Sequence, residues 1–363
     1  MADWSKLPYD IIHMVAKYLE AIEDFVAFSA VCHSWRSVYL ARQWFPGRQV
    51  PWLMLSDIEN SERIFVSLSR NKVHSFELPE AHCKQCFGSS SIWLLTIGND
   101  FKMHLLNAFT RVRLDLPTKS SLQVHFDNIQ PWYHCIDKVL VVNKPFTSFE
   151  NEDDLLVVII YGPLNQLAFS RPGFSSWITV NATSPGGGFR DIAYVNNQFF
   201  ALRDLGHLVI VDIDGPHPPK IIWVAMSPWW SLSPPFLVES CGDLLLVYQC
   251  KIHNDRKSSM KSVSFVIYSF DFSKRQWIRI HNLKNRVIFV GDNCCTSICT
   301  SELVYCKHDS IYFVADRDKR WRTDSAHCVD LFVYNMDNGI VEPLSFDIPK
   351  HYSCSLWVMP TLF

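Results

Sequence analysis

Histidine stands directly before cysteine twice in the first half of the chain, as His82-Cys83-x-x-Cys86 and as His134-Cys135. Thiolate and imidazole are the ligands zinc prefers, and a closed structural site takes four of them, commonly as two paired sets. Cys83, Cys86, His134 and Cys135 make a formal set of four, but their spacing is unlike that of known zinc modules. A hairpin turn with partly buried thiols accounts better for the first pair. Cys294, Cys295, Cys299 and Cys306 fall in strand and turn segments and read as packing. Gly186-Gly187-Gly188 has the composition of a phosphate-cradling loop, yet no Gly-Lys-Ser/Thr follows, and Phe189 to Val195 reads as strand. A flexible connection between repeats is the better account. No Gly-x-Ser-x-Gly elbow and no His-Glu-x-x-His accompanies the many carboxylates and histidines. The sequence makes no positive case for catalysis by this chain, for a metal or for a cofactor.

A different chemistry, protein recognition, suits the polar stretches better. Met226-Ser227-Pro228-Trp229-Trp230-Ser231, Lys251 to Lys261 and Asp316 to Arg322 combine tryptophan with dense cationic side chains. Arginine offers a bidentate fork to carboxylate or phosphate. Arginine and tryptophan are also the types enriched where binding energy concentrates. Trp229, Trp230, Arg256, Lys257, Arg320, Trp321 and Arg322 are therefore expected to form a surface that recruits a protein, with a preference for acidic or phosphorylated segments. The plainer alternative is that the charged loops are solvated insertions and the tryptophans pack.

Composition narrows the classes. Of 363 residues, 19% are charged and 14% aromatic, with 13 Trp, which favours much sheet and heavy burial. A formal charge of −2 gives no reason to expect nucleic acid or an anionic membrane. The longest apolar run, Leu155 to Tyr161, has the length of a strand and cannot span a bilayer as a helix. The start, MADWSKLPYD, has no apolar signal core, so an intracellular chain is expected, nuclear or cytoplasmic. In a reducing compartment the 12 cysteines read mostly as small apolar residues rather than disulfides.

The elements that must position these residues are of two kinds. From Leu7 onward, Pro8 suits a first helical turn, Asp10 suits the helix dipole, and Ile11, Val15 and Leu19 recur at helical spacing, with Ile12 and Met14 widening the apolar face. A second amphipathic segment carries Phe25 to Phe28, and a third carries Trp35, Val38 and Tyr39. Three helices in about 45 residues cannot bury that much apolar surface alone, and such an excess is usually covered by a partner or a neighbouring domain. After Arg48 the period changes to 2. A unit of three strands recurs at Pro51–Pro79, Ser91–Pro117, Leu155–Val180 and Gln198–Val224, and twice more with longer inserts ending at Ile280 and Leu344. Several copies follow one more short strand and a tight turn, as in DIAYVNN, FLVESCGD and LVYCKHD. Four antiparallel strands per unit, six units and roughly 50 residues per unit predict a β-propeller of kelch-like period, six or seven blades, without the kelch or WD signatures. The segment Ser353–Phe363, or the strand before residue 79, is expected to close the ring. A β-sandwich is the competing architecture.

The N-terminal order Leu7-Pro8, Asp10-Ile11, Leu19, Asp24, Phe28, Val31-Cys32 and Trp35-Arg36 resembles the F-box. The rest is similar to the plant F-box family with a KIB-type β-propeller, through LLNAFTRVRLDLP, FRDIAYVNNQFFAL, LVESCGDLLLVYQC, FVGDNCCTSI and SIYFVAD. The resemblance implies an all-α unit over residues 1–47 and an all-β receptor domain over 48–363. It implies a Skp-type adaptor of a cullin–RING ligase as partner, docked on Leu7, Pro8, Ile11, Leu19 and Phe28, with Trp35 in the core. The expected role is that of a non-catalytic substrate receptor in an SCF-type ubiquitin ligase, recruiting an unknown protein for ubiquitination. The rival is an F-box scaffold that delivers no substrate. A propeller enzyme would instead require inward-facing His, Asp or Arg around the central channel, and no such recurrence is visible.

Overall fold

The structure is a computed structural model and describes residues 4–19, 24, 28, 31–40, 50–56, 61–69, 71–89, 91–122, 136–144, 155–180, 187–214, 219–228, 235–252, 262–291, 294–299, 306–314, 331–346 and 354–360. The two described α-helices are α1 (Tyr9–Lys17) and α2 (His33–Leu40). Pro8 occupies the N-cap of α1, where its missing N–H leaves no bond unmade, and its carbonyl accepts the amides of Ile11 and Ile12. Ile12 and Ala16, one turn apart, are buried with Phe28 and Val38, and Leu7, Leu19 and Trp35 pack around that core. The Trp35 indole N–H donates to the Trp4 carbonyl at 3.1 Å, which ties the turn Trp4–Lys6 to α2.

The remaining described elements form six sheets. Blade I holds β1 (Trp52–Ser56), β2 (Glu62–Ser67) and β3 (Lys72–Glu77). Blade II holds β4 (Lys84–Phe87), β5 (Trp93–Gly98), β6 (Met103–Asn107) and β7 (Arg113–Leu116). Blade III holds β8 (Ile136–Asn143), β9 (Leu155–Tyr161), β10 (Gln166–Ser170) and β11 (Ile178–Val180). Blade IV holds β12 (Phe189–Val195), β13 (Gln198–Arg203), β14 (His207–Asp212) and β15 (Lys220–Met226). Blade V holds β16 (Phe236–Ser240), β17 (Asp243–Ile252), β18 (Ser262–Asp271) and β19 (Gln276–Ile280). Blade VI holds β20 (Arg286–Val290), β21 (Cys295–Cys299), β22 (Ser310–Val314), β23 (Leu331–Asn335) and β24 (Val341–Leu344). The last strand, β25 (Cys354–Val358), joins blade I beside β1 and closes a six-bladed propeller.

Period 2 explains the core. Along β9, Leu156, Val158 and Ile160 pack toward blade IV, while Val157, Ile159 and Tyr161 pack toward blade II. Both faces of an inner strand are covered, so its sequence is a continuous apolar run rather than an alternating one. The same division gives six apolar clusters, one at each blade interface. Each fully buried Leu, Ile or Val contributes about 1.5–3 kcal/mol. The ring is fastened by Trp357 of β25, which packs edge-on against Phe289 of blade VI at 5.0 Å and donates its indole N–H to the Val290 carbonyl at 3.1 Å.

The innermost of the described strands of blade VI is β21, and residues 303–305 of LVYCKHD lie outside the described residues. Strand β20 is inserted between β21 and β22, antiparallel to the first and parallel to the second, so this blade has five strands. The glycine connection between blades III and IV is pinned at Gly187 and Gly188, Gly186 being outside the described residues. The Gly188 amide donates to Asp204 at 2.7 Å, and Arg203 donates to the Gly187 carbonyl at 3.2 Å. With its amide so engaged, Gly188 has no donor to offer a phosphate. The hairpin turns hold as read: Asn196, Asn197, Cys241 and Gly242 all have positive φ, as two-residue type I′ turns require.

Candidate functional site

The helical unit shows one apolar face too many. Helix α1 buries Ile12 and Ala16, while Pro8, Ile11, Val15 and Tyr18, spaced at 3, 4 and 3, form a second stripe about 100° round the helix that stays exposed. Ile11 is 43% exposed, and Met14, Tyr9 and Val31 add large apolar side chains in the same small unit. Of the residues assigned to an adaptor face, Pro8 and Ile11 lie on this surface, and Leu7 and Leu19 are half-buried at its border. Phe28, also assigned to that face, is 4% exposed and packs in the unit's own core, its ring 4.6 Å from that of Trp35. Trp35 is half-buried rather than fully enclosed. Val15 was read as part of the helix's apolar face but not as a binding residue.

In a blade whose chain enters along the innermost strand, that strand starts at the end where the second strand finishes. The turns between second and third strands therefore share one end of the propeller with the connections between blades. Trp229, Trp230, Arg256, Lys257, Arg320, Trp321 and Arg322 all lie outside the described residues. The turns of blades II, III and IV are described. They present Phe101, Leu164 and Leu205, exposed by 42%, 73% and 54%. The left-handed residues of these turns are Phe101 (φ 62°) in blade II, Gly162 (φ 75°) and Asn165 (φ 49°) in blade III, and Gly206 (φ 80°) in blade IV. Asn and Gly adopt that conformation readily, whereas a bulky aromatic side chain there costs about 1–2 kcal/mol. Lys119 of the connection between blades II and III lies with its ammonium 4.5 Å from the Phe101 ring, and its amide donates to the Phe101 carbonyl at 3.4 Å. Phe189 donates to the Asn165 carbonyl at 2.8 Å and Asp204 to the Gly188 carbonyl at 2.9 Å, so the turns of blades III and IV are joined into one shelf.

The axis of the propeller holds a feature not anticipated from sequence. Lys138 of β8 and Asp191 of β12, both buried, pair at 2.8 Å. Asp191 also accepts the amides of Ile192 at 2.7 Å and of Leu237, on the innermost strand of blade V, at 2.8 Å. Each partner follows a bulge in its strand, at 136/138 and 189/191, which turns the two side chains toward each other. Burial works against the Lys138 charge, but the Asp191 carboxylate more than offsets it and holds the lysine pKa above its ordinary value. Cys295 lies within electrostatic reach of this pair, and burial pushes its thiol up to about 12, which keeps it protonated and unreactive. The pair spans three blades and has its acceptor oxygens already occupied, as a structural pin does. Isolated charged residues at a blade's entry strand carry no signal of this kind in a sequence.

The described cysteines are free thiols, with Cys86, Cys294, Cys295 and Cys306 buried. Among the described residues no three His, Cys, Asp or Glu side chains gather as metal ligands. Cys83 is exposed in a turn at φ 53°, Cys86 is buried on β4, and His134 and Cys135 lie outside the described residues. No helix among the described residues is long and apolar enough to cross a membrane.

Comparison with known proteins agrees with this division. The chain is 25% identical over 404 aligned residues to F-box protein SKIP23 of Arabidopsis thaliana, covering 99% of this chain and 95% of that protein. It is 24% identical to F-box protein At2g17036 of the same plant, covering 84% of this chain and 81% of that protein. A family model described as an F-box domain matches residues 4–38, which contain α1 and α2. A second, described as the KIB1-4 beta-propeller, matches residues 65–335. Because that second match spans about three quarters of its length, the chain belongs to the KIB1-4 beta-propeller family, and it carries an F-box domain ahead of the propeller.

Proposed function

We propose that this chain is the substrate-recognition subunit of an SCF-type cullin–RING ubiquitin ligase. Residues 1–47 form its adaptor-binding unit and residues 48–363 its receptor domain. The observation that carries the reading is the exposed stripe Pro8, Ile11, Val15 and Tyr18 on α1, in a unit whose own core is already filled by Ile12, Ala16, Phe28 and Val38. A small helical unit keeps such a stripe in water only at a cost, and a helix in a partner's groove covers it. The partner is a Skp-type adaptor, as the F-box match suggests. The chain itself is non-catalytic: the axial Lys138–Asp191 pair is committed to holding blades together. Ligation of ubiquitin belongs to the complex, in which the propeller raises the effective concentration of a target's lysines near the conjugating enzyme.

The test is capture by an immobilised Skp-type adaptor of the full chain and of Ile11→Ala/Val15→Ala. Both side chains are exposed, so the variant keeps its fold. Loss of central apolar anchors should weaken capture by about 30-fold or more, equivalent to about 2 kcal/mol. Undiminished capture would move the adaptor contact off α1. Reconstituted ubiquitination of a bound protein that depends on both units separates the receptor from a scaffold that delivers nothing.

A further inference from the structure

We infer that β15, the outer strand of blade IV, pairs antiparallel with β15 of a second copy of this chain, joining two blades edge to edge across a two-fold axis. The inference goes beyond the receptor reading and does not depend on it. Its first support is the contrast among the outer strands of the six blades. Natural sheets blunt an outer edge by shortness, by charge or by proline. Strand β11 has three residues, and β7 has four, Arg113 and Asp115 among them. Strand β24 has four and carries Pro343, β19 carries Arg279, and β3 begins at Lys72 and ends at Glu77. Strand β15 has seven residues, and its one charge, Lys220, stands at its first position. In its middle, Ile222 and Trp223 are 48% and 59% exposed.

The second support is the fit of this edge to itself. A backbone edge is satisfied by another strand, and the pleat decides which side chains that strand must carry. Trp223 lies opposite Val209, on the face toward blade III with Ile221, while Ile222 lies opposite Ile210, on the face toward blade V. The occupant must therefore be apolar on both faces, which an ordinary half-solvated strand is not and β15 is. Local geometry fixes the register. Pro219, just before the strand, has no N–H for a ladder, and a bulge leaves Val224 without an opposite residue on β14. Self-pairing that keeps Trp223 clear of Pro219 and does not run on through the bulge is centred on Ile222. Ile221 of each copy then faces Trp223 of the other, a β-branched side chain against an aromatic one, and Ile222 faces its own counterpart. The two Lys220 side chains stand about 14 Å apart along the joined strands, beyond the screening length of physiological salt. No like charges are opposed.

The test is sedimentation velocity of the full chain from about 1 to 100 µM, because so short a ladder buries less than a standard interface and a dissociation constant on the order of 10 µM is expected. Ile222→Lys opposes two like charges across the axis and should weaken pairing by about 30-fold or more, as should Ile222→Glu. An equimolar mixture of these two variants should pair again, because residue 222 of one copy faces residue 222 of the other. Trp223→Ala, which shortens an exposed side chain, should weaken pairing by about 5-fold. Ile11→Ala/Val15→Ala, altered on α1, should pair as the wild type does. A wild-type chain that stays single at about 100 µM overturns the inference, even if a strand of another protein takes the edge. Undiminished pairing in Ile222→Lys or Trp223→Ala overturns it too, as does a mixture of the two charged variants that stays single. Loss of pairing in Ile11→Ala/Val15→Ala would move the contact to the helical unit and overturn it equally.

Discussion

Replacing Asp191 by Ala tests the claim that the propeller's axis is locked by charge. In the native chain its carboxylate meets the Lys138 ammonium at 2.8 Å and two backbone amides, those of Ile192 and Leu237. The variant leaves a buried ammonium without a counter-charge, a change that costs about 3–5 kcal/mol. It also strands two amides that cost about 1–3 kcal/mol each if water cannot reach them. Water entering the space left by the carboxylate offsets part of this, so a loss of about 4 kcal/mol is expected, with melting lowered by about 5 °C. Urea unfolding followed by tryptophan fluorescence measures it. The double variant Lys138→Met/Asp191→Leu removes both charges and should recover most of the loss, because apolar replacement of a whole buried pair is often neutral. The sign with pH is fixed by the raised lysine pKa. The lysine's contribution is complete below its unfolded value of about 10.4 and is lost only as pH climbs through the higher folded value. The reasoning fails if Asp191→Ala costs under about 1 kcal/mol, or if the double variant is as unstable as the single one.

Two further outcomes follow from the same structure. His104 is buried on β6, and burial, reinforced by the cations of Lys84 and Arg113, lowers its pKa below the ordinary histidine value. The unfolded chain takes up a proton below about pH 6.5 that the folded chain refuses, so stability is complete above that pH and falls as pH drops toward the folded pKa. His104→Gln should lose less stability than the wild type between pH 7 and 5, and parallel curves would clear His104 of the role. Trp357→Ala should cost about 3–5 kcal/mol by emptying the closure between blades VI and I. Trp357→Phe should cost about 1 kcal/mol more than its lost area explains, for the missing bond to the Val290 carbonyl. Equal stability of Trp357→Phe and wild type, measured by thermal unfolding, would show the indole bond to be idle.

Much of the fold was legible because its rules are local. The six three-strand units fall on the outer three strands of the six blades, since period-2 patterning and turn residues such as Asn196-Asn197 report directly on strands and hairpins. The inserted strand β20 was not legible, because a parallel neighbour in the sheet is a long-range choice that FVGDNCCTSI does not announce. At the candidate interfaces the helical spacing of Ile11 and Val15 marked an apolar face, but sequence could not say which half of a broad apolar arc turns inward. The pairing of Lys138 with Asp191 joins residues on different blades, and only the folded ring brings them together. Phe101 carries its signal in a φ angle, which no residue pattern displays.

The order of strands around the ring also sets a schedule for synthesis. Blade I begins at Trp52, yet its innermost strand starts at Cys354. At ordinary rates of elongation the ribosome needs about 15–55 s to travel from the end of β3 to β25. Throughout that interval β1 offers an unpaired edge, while α1 and α2 have already emerged and need nothing from the ring to form their core. On the proposed function, a nascent chain could therefore engage its adaptor before it has any closed surface on which to hold a target. A message interrupted before codon 354 would yield a product that occupies adaptor and delivers nothing, so premature stop codons in this gene should act as competitors of the intact receptor rather than as simple losses.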